Sequence, residues 1–109
     1  DNASTVSYLT SSDYRLKNNI TYDFDATSRL KQLKPARFSW NDDDTNTLVD
    51  GFIAHEVQSV VPQAVGGEKD AVNEDGSINP QGIDQRKLVP LLVKTIQELE
   101  ARIVALETA

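Results

Sequence analysis

The most regular hydrophobic pattern lies at the C-terminal end of the chain. From about residue 86 onwards, apolar residues recur at alternating spacings of three and four, at Val89, Leu92, Ile96, Leu99, Ile103 and Leu106. This is a heptad repeat with Val or Ile at position a and Leu at position d, and it predicts an amphipathic helix with an apolar seam. Pro90 has no amide hydrogen to donate, so it belongs in the first turn of this helix.

Two interpretations of the helix remain open: association between chains, or packing against the body of its own chain. We favour association, although the pattern covers fewer than the three or four heptads that usually mark a coiled coil. Ile at a with Leu at d favours two parallel strands. Leu88 and Val93 widen the apolar stripe, which suits three helices, or two helices with additional contact to the body. The heptads alone therefore leave dimer and trimer open.

Shorter patterns upstream predict a small α+β body. The predicted elements are an extended arm or strand within 1–12, a helix within 23–34, strands at 36–40 and 48–53, a helix at 54–61 and a hairpin with Asp75-Gly76 at its tip. We expect Asp25 to cap the first helix, and Pro35 and Pro62 to end the two helices. Trp40 and Phe52 are expected in the core.

Composition narrows the function classes. A single domain of 109 residues is marginally stable alone, so partner subunits could complete its core. The net charge of −6 argues against nucleic-acid binding, which needs clustered Lys and Arg. Neither a run of about 18 apolar residues nor a signal peptide is present, so we expect no membrane partner. The chain has no methionine, and we expect it to be a piece of a longer polypeptide.

Cofactor and metal sites are not indicated either. The chain lacks cysteine, which excludes thiolate ligands, and the acidic runs 42–44 and 73–75 lack the twelve-residue loop with a terminal Glu that calcium hands need. His55 is the only histidine and opens a short predicted helix, where we expect a partly exposed polar residue and not a member of a catalytic triad. We expect no cofactor, metal or small-molecule substrate.

Ser12 and Lys17 are the residues that could carry out catalysis. A lysine can activate a serine as general base if its amine is neutral, which requires a shift from its ordinary pKa of about 10.4. The spacing of five residues brings the two side chains together in neither a helix nor a strand, so a bend between them, or a lysine from another subunit, is required.

Four blocks of sequence resemble the C-terminal intramolecular chaperone domain of phage tailspikes and tail fibres, best known from the endosialidase tailspike. In order they are SDYRLKNNI at 12–20, LKPARFSW at 33–40, GFIAHEV at 51–57 and LVPLLVKTIQEL at 88–99. The myelin regulatory factor transcription factors contain a related auto-cleaving domain. Four blocks in the family's order, spread from Ser12 to the helix, are more specific than any single motif.

This resemblance implies a homotrimeric chaperone that assists folding of the upstream fibre and then cuts itself free. Ser12 matches the nucleophile and Lys17 the base, so the cut would fall beside Ser12, most simply at its bond to Ser11. The implied division is the end of the upstream fibre at 1–11, the chaperone body at 12–85 and a parallel coiled-coil helix at 86–109. The domain would act in the host cytoplasm during phage assembly and be absent from the mature fibre.

Two other functions remain open. The first is a purely structural oligomerisation cap that carries out no chemistry. The second is a transcription-factor processing domain, which would require a DNA-binding region upstream.

Overall fold

The computed structural model describes residues 9–109, so most of the arm or strand expected within 1–12 lies outside the described residues. The elements are α1 (Thr27–Leu30), β1 (Ala36–Phe38), β2 (Val49–Gly51), α2 (Ala54–Gln58), β3 (Val65–Gly66), β4 (Gly82–Ile83) and α3 (Val89–Glu107). Three short 3-10 turns join them, at Tyr14–Leu16, Pro62–Ala64 and Gln85–Leu88. The α+β class predicted from the sequence is confirmed.

The two strands predicted at 36–40 and 48–53 are present but shorter, and they pair with each other. β1 and β2 pair antiparallel, with Phe38 opposite Val49 and Ala36 opposite Gly51. A Cβ atom at Gly51 would lie 3.0 Å from the Phe38 ring, which explains the glycine there. The expectation of a core Trp40 is wrong: its side chain is 63% exposed. It contacts Phe38 edge to face, with the ring centroids 5.0 Å apart.

α2 is shorter than predicted. It ends at Gln58, not at Val61, and Val61 has an extended φ of −132°. A proline disfavours the helical conformation of the residue before it, so Pro62 ends the helix earlier than hydrophobic periodicity suggested. Val57 and Val61 are nonetheless both buried, because the turn after α2 returns the chain to the core.

The hairpin predicted around Asp75-Gly76 is present, whereas the pairing of β3 with β4 was not predicted. Val72 and Ile78 form an isolated antiparallel bridge, and Gly76 at the tip has the positive φ of 85° that glycine adopts readily. The missed pair is β3 with β4, in which Val65 lies opposite Ile83. Each of these strands has two residues, too few to show an alternating pattern.

The core is small and lies where α3 meets the body. Its buried apolar residues are Ala26, Val57, Val61, Ala64, Leu88 and Leu91. The accessible surface is 9267 Å², whereas a compact protein of 12.1 kDa would expose about 6,000 Å². The chain therefore exposes more surface than a compact protein of its mass, and large apolar residues such as Ile78, Ile96 and Leu106 are part of the exposed surface.

Thr95 of α3 gives a stability test of this core. The residue is 2% exposed, and its hydroxyl has no hydrogen-bond partner among residues 9–109. A buried polar group without a partner destabilises a protein by about 1–3 kcal/mol. We expect Thr95→Val, which replaces the hydroxyl by a methyl group, to raise the free energy of unfolding by about 1 kcal/mol in urea denaturation. Thr95→Ala, which also removes the methyl group, should give no such gain, and a less stable Thr95→Val would show that the hydroxyl is satisfied.

Candidate functional site

Ser12 and Lys17 contact each other directly. Lys17 Nζ donates a hydrogen bond of 2.7 Å to Ser12 Oγ. The required bend is the 3-10 turn Tyr14–Leu16, closed by a hydrogen bond of 3.2 Å from the Lys17 amide to the Tyr14 carbonyl. The pair predicted from sequence thus meets within one chain.

Asp13 and Arg15 build the turn between them. The Asp13 carboxylate caps the turn by accepting from the Arg15 amide at 2.9 Å, and it also accepts from the Arg15 guanidinium at 2.7 Å. The guanidinium holds the pKa of the Asp13 carboxyl below its usual value. Asp84 and Arg86 repeat this arrangement in the turn before α3. The Arg15 charge is therefore paired with a carboxylate beside the Ser12–Lys17 pair, the dyad.

The dyad lies in an exposed apolar setting. Ser11, Ser12 and Lys17 are all exposed. So are the large apolar side chains of the same segment: Leu9, Tyr14, Leu16, Ile20 and Tyr22. Exposed apolar patches often mark interaction sites, and burial of a lysine favours the neutral amine that a general base needs. The geometry suits proton transfer from Ser12, while the described residues leave the site open to water.

α3 uses different faces for its own body and for the heptad seam. Leu88, which precedes the helix, and Leu91 and Thr95 within it are buried. The six seam residues are between 41% and 76% exposed: Val89, Leu92, Ile96, Leu99, Ile103 and Leu106. At about 100° per residue, the buried residues and the seam residues form two adjacent stripes of the helix, centred roughly 90° apart. Packing of α3 on its own body therefore leaves the seam uncovered within residues 9–109.

One polar residue of α3, Glu98, binds the body, and the sequence analysis gave it no role. Glu98 caps α1: its carboxylate accepts from the Thr27 hydroxyl, from the Ala26 amide at 3.1 Å and from the Thr27 amide at 2.8 Å. These bonds hold the pKa of the Glu98 carboxyl below its usual value. The expectation that Asp25 caps this helix is therefore incomplete. Asp25 accepts from Ser28, but α1 begins after Ala26, whose side chain cannot cap.

The other residues considered from sequence form no site in the described part of the chain. No group of three or more acidic or His side chains there could hold a metal ion. His55 is exposed in α2, and the side-chain hydrogen bond described for Ser12 comes from Lys17. Over residues 9–109, every helix is too short or too polar to span a bilayer.

Comparison with known proteins agrees with the fold and the motifs. Residues 12–66, just over half of the chain, match the family described as Chaperone of endosialidase. The chain belongs to this family. It is also 31% identical, over 98% of its length, to a probable tail fiber protein of Escherichia phage Phieco32. The chain spans 15% of the length of that relative.

Proposed function

We propose that this chain is the intramolecular chaperone domain of a phage tail fibre or tailspike, and that it trimerises and then releases itself by autoproteolysis beside Ser12. Membership of the Chaperone of endosialidase family and similarity to a phage tail fibre protein support the chaperone role. The observation that carries the proteolytic role is the 2.7 Å contact between Lys17 Nζ and Ser12 Oγ.

Assembly through α3 is the first step. The seam is exposed in a single chain, and each Val, Leu or Ile buried on association contributes about 1.5–3 kcal/mol. Six such residues per chain offset much of the entropy lost on association. The exposed side chains around the dyad indicate that the body also contacts its neighbours. A parallel homotrimer covers both surfaces and sets the three upstream chains in register.

Cleavage follows in the assembled state. A neutral Lys17 amine takes the proton of the Ser12 hydroxyl as Oγ attacks the Ser11 carbonyl carbon. The new C–O bond replaces the C–N bond between Ser11 and Ser12, and the freed Ser12 amine receives the proton. Water then hydrolyses the ester, releasing the Ser11 carboxylate and restoring the Ser12 hydroxyl. Contact with neighbouring chains or the upstream fibre would exclude water from the exposed dyad and so favour the neutral amine.

The order of assembly and cleavage has a physical rationale. Intertwined β-rich fibres depend on contacts between separate chains, so they fold slowly and are exposed to aggregation. Joining three C-termini raises the local concentration of the upstream segments to about the millimolar range. Removal of the chaperone domain afterwards leaves a fibre whose folded state is maintained by a high kinetic barrier to unfolding.

The division of the chain follows from this function. Residues 1–11 would remain with the upstream fibre, 12–85 would form the chaperone body, and 86–109 would form the coiled-coil helix. The partners are two further copies of the chain and the upstream fibre of the same polypeptide. The domain would act in the host cytoplasm during phage assembly and be lost from the mature fibre.

A precursor that joins this chain to its natural upstream region provides the test. We expect native mass spectrometry to give three subunits per particle, and a denaturing gel to show one C-terminal fragment that begins at or next to Ser12. The exposure of both dyad side chains favours one alternative, a structural cap without chemistry. That alternative predicts the same trimer but no cleavage fragment. A precursor that is a stable monomer at micromolar concentration would refute both the proposed assembly and the cleavage that depends on it.

A further inference from the structure

The segment that follows the dyad crosses the back of α3. Lys94 Nζ donates a hydrogen bond of 2.8 Å to the Tyr22 carbonyl and lies 5.3 Å from the centre of the Phe24 ring. In the heptad that starts at Val89, Lys94 occupies position f, opposite the seam. A cation over an aromatic ring adds to the hydrogen bond, so this contact fixes both the backbone and a side chain of the segment.

Glu98 holds the same segment one helical turn further on. Its carboxylate binds the amides of Ala26 and Thr27, the two residues at the start of α1. Lys94 and Glu98 are four residues apart and therefore neighbours on the helix surface. Together they fasten 22–27 to α3 by four groups: one carbonyl, two amides and one hydroxyl.

Lys94 and Glu98 together form a clamp on the 22–27 segment. Upstream of this clamp, the turn that carries Ser12 and Lys17 has no described hydrogen bond to the body. The hydrogen bonds that the structure describes for residues 9–21 all end within that stretch or at Asp23. Tyr22 is therefore the first point after the dyad at which a hydrogen bond reaches α3. Tyr22 lies five positions after Lys17, and a fully extended chain of five residues spans at most about 18 Å.

We propose that Lys94 and Glu98 are positioning residues for self-cleavage. They fix the segment that follows Ser12 and Lys17 to α3, on a face of the helix away from the seam through which the chains associate. This inference rests on the proposed function. Association of the helices then sets where each Ser12–Lys17 turn lies relative to neighbouring chains and the upstream fibre. Without the clamp, the helices still associate, but the dyad turn is no longer held where the assembly covers it.

The test compares four single variants in the self-cleaving precursor. Lys94→Ala and Glu98→Ala are expected to keep the native mass and to cut about tenfold to a hundredfold more slowly, because small misplacements of reacting groups cost that much. Lys94→Arg keeps a cationic donor and should restore most of the rate. Glu74→Ala removes an exposed carboxylate from the hairpin between Val72 and Ile78, outside both α3 and the 22–27 segment, and should cut like the unaltered chain. Wild-type rates in correctly assembled Lys94→Ala and Glu98→Ala would overturn the inference.

Loss of assembly in both alanine variants would also overturn it, because the contacts would then serve folding and not the dyad. A second measurement separates the inference from the proposed function. In the Ser12→Ala precursor, which cannot use Ser12, amide hydrogen exchange at Ala26 and Thr27 should become much faster when Glu98→Ala is added, because Glu98 accepts from both amides. Unchanged exchange refutes the clamp even if the precursor cleaves. Conversely, an unaltered precursor that never cleaves refutes the proteolytic function, and with it the role of the clamp in cleavage, whatever the exchange result.

Discussion

Ser12→Ala in the precursor is expected to give a full-length chain that still assembles but does not cut itself. The substitution removes the nucleophilic oxygen and leaves the 3-10 turn in place, because the turn is capped by Asp13 and not by Ser12. Loss of a nucleophile from a catalytic unit lowers rates by about 10⁴-fold or more. The measurement is the fraction of cut chain over time on a denaturing gel, with native mass taken on the same sample.

Lys17 and Ser11 supply the matched variants. Lys17→Ala should also abolish cleavage, and so should Lys17→Arg, which keeps the positive charge but cannot serve as a base because arginine stays protonated. Ser11→Ala removes the hydroxyl of the neighbouring serine and leaves Ser12 and Lys17 intact, so we expect this precursor to cleave itself. Cleavage of Lys17→Arg at the normal rate would show that the 2.7 Å contact orients Ser12 without removing its proton.

Ile96→Asp is expected to separate the chains and, as a consequence, to stop cleavage. Ile96 occupies position a of the seam and is 65% exposed in the single chain, so a carboxylate there is solvated before association. In the assembly it would be buried without a partner, which costs at least about 3 kcal/mol per chain, or more than a hundredfold in the association constant. Sedimentation at micromolar concentration should therefore show single subunits.

Ala101→Asp is the control for this variant. It places the same carboxylate at position f, away from the seam, and should leave both the trimer and the cleavage intact. Urea denaturation of Ile96→Asp should give a monomer that still unfolds cooperatively, because the seam takes no part in the buried core. An Ile96→Asp chain that remains fully assembled would disprove the assignment of this edge as the oligomerisation surface.

Local patterns in the sequence were sufficient for several elements. The heptads and Pro90 predicted the course and the start of α3, and Asp75-Gly76 predicted the tip of a hairpin. Alternation at 36–40 predicted β1, and a second strand was predicted at 48–53, although both strands proved shorter and their pairing was not predicted. These features depend on helical and strand periods, on the fixed φ of proline and on the conformational freedom of glycine, all of which act over a few residues.

Contacts between distant residues required the tertiary structure. The pairing of Val65 with Ile83 and the capping of α1 by Glu98 join residues far apart in the chain and leave no periodic trace. The meeting of Ser12 with Lys17 is an intermediate case. The sequence named both residues and the need for a bend, but only the folded turn capped by Asp13 brings Nζ to Oγ. Sequence periodicity thus determined which edge of α3 is apolar, and tertiary packing decided that this edge stays exposed, because Leu88, Leu91 and Thr95 face the body instead.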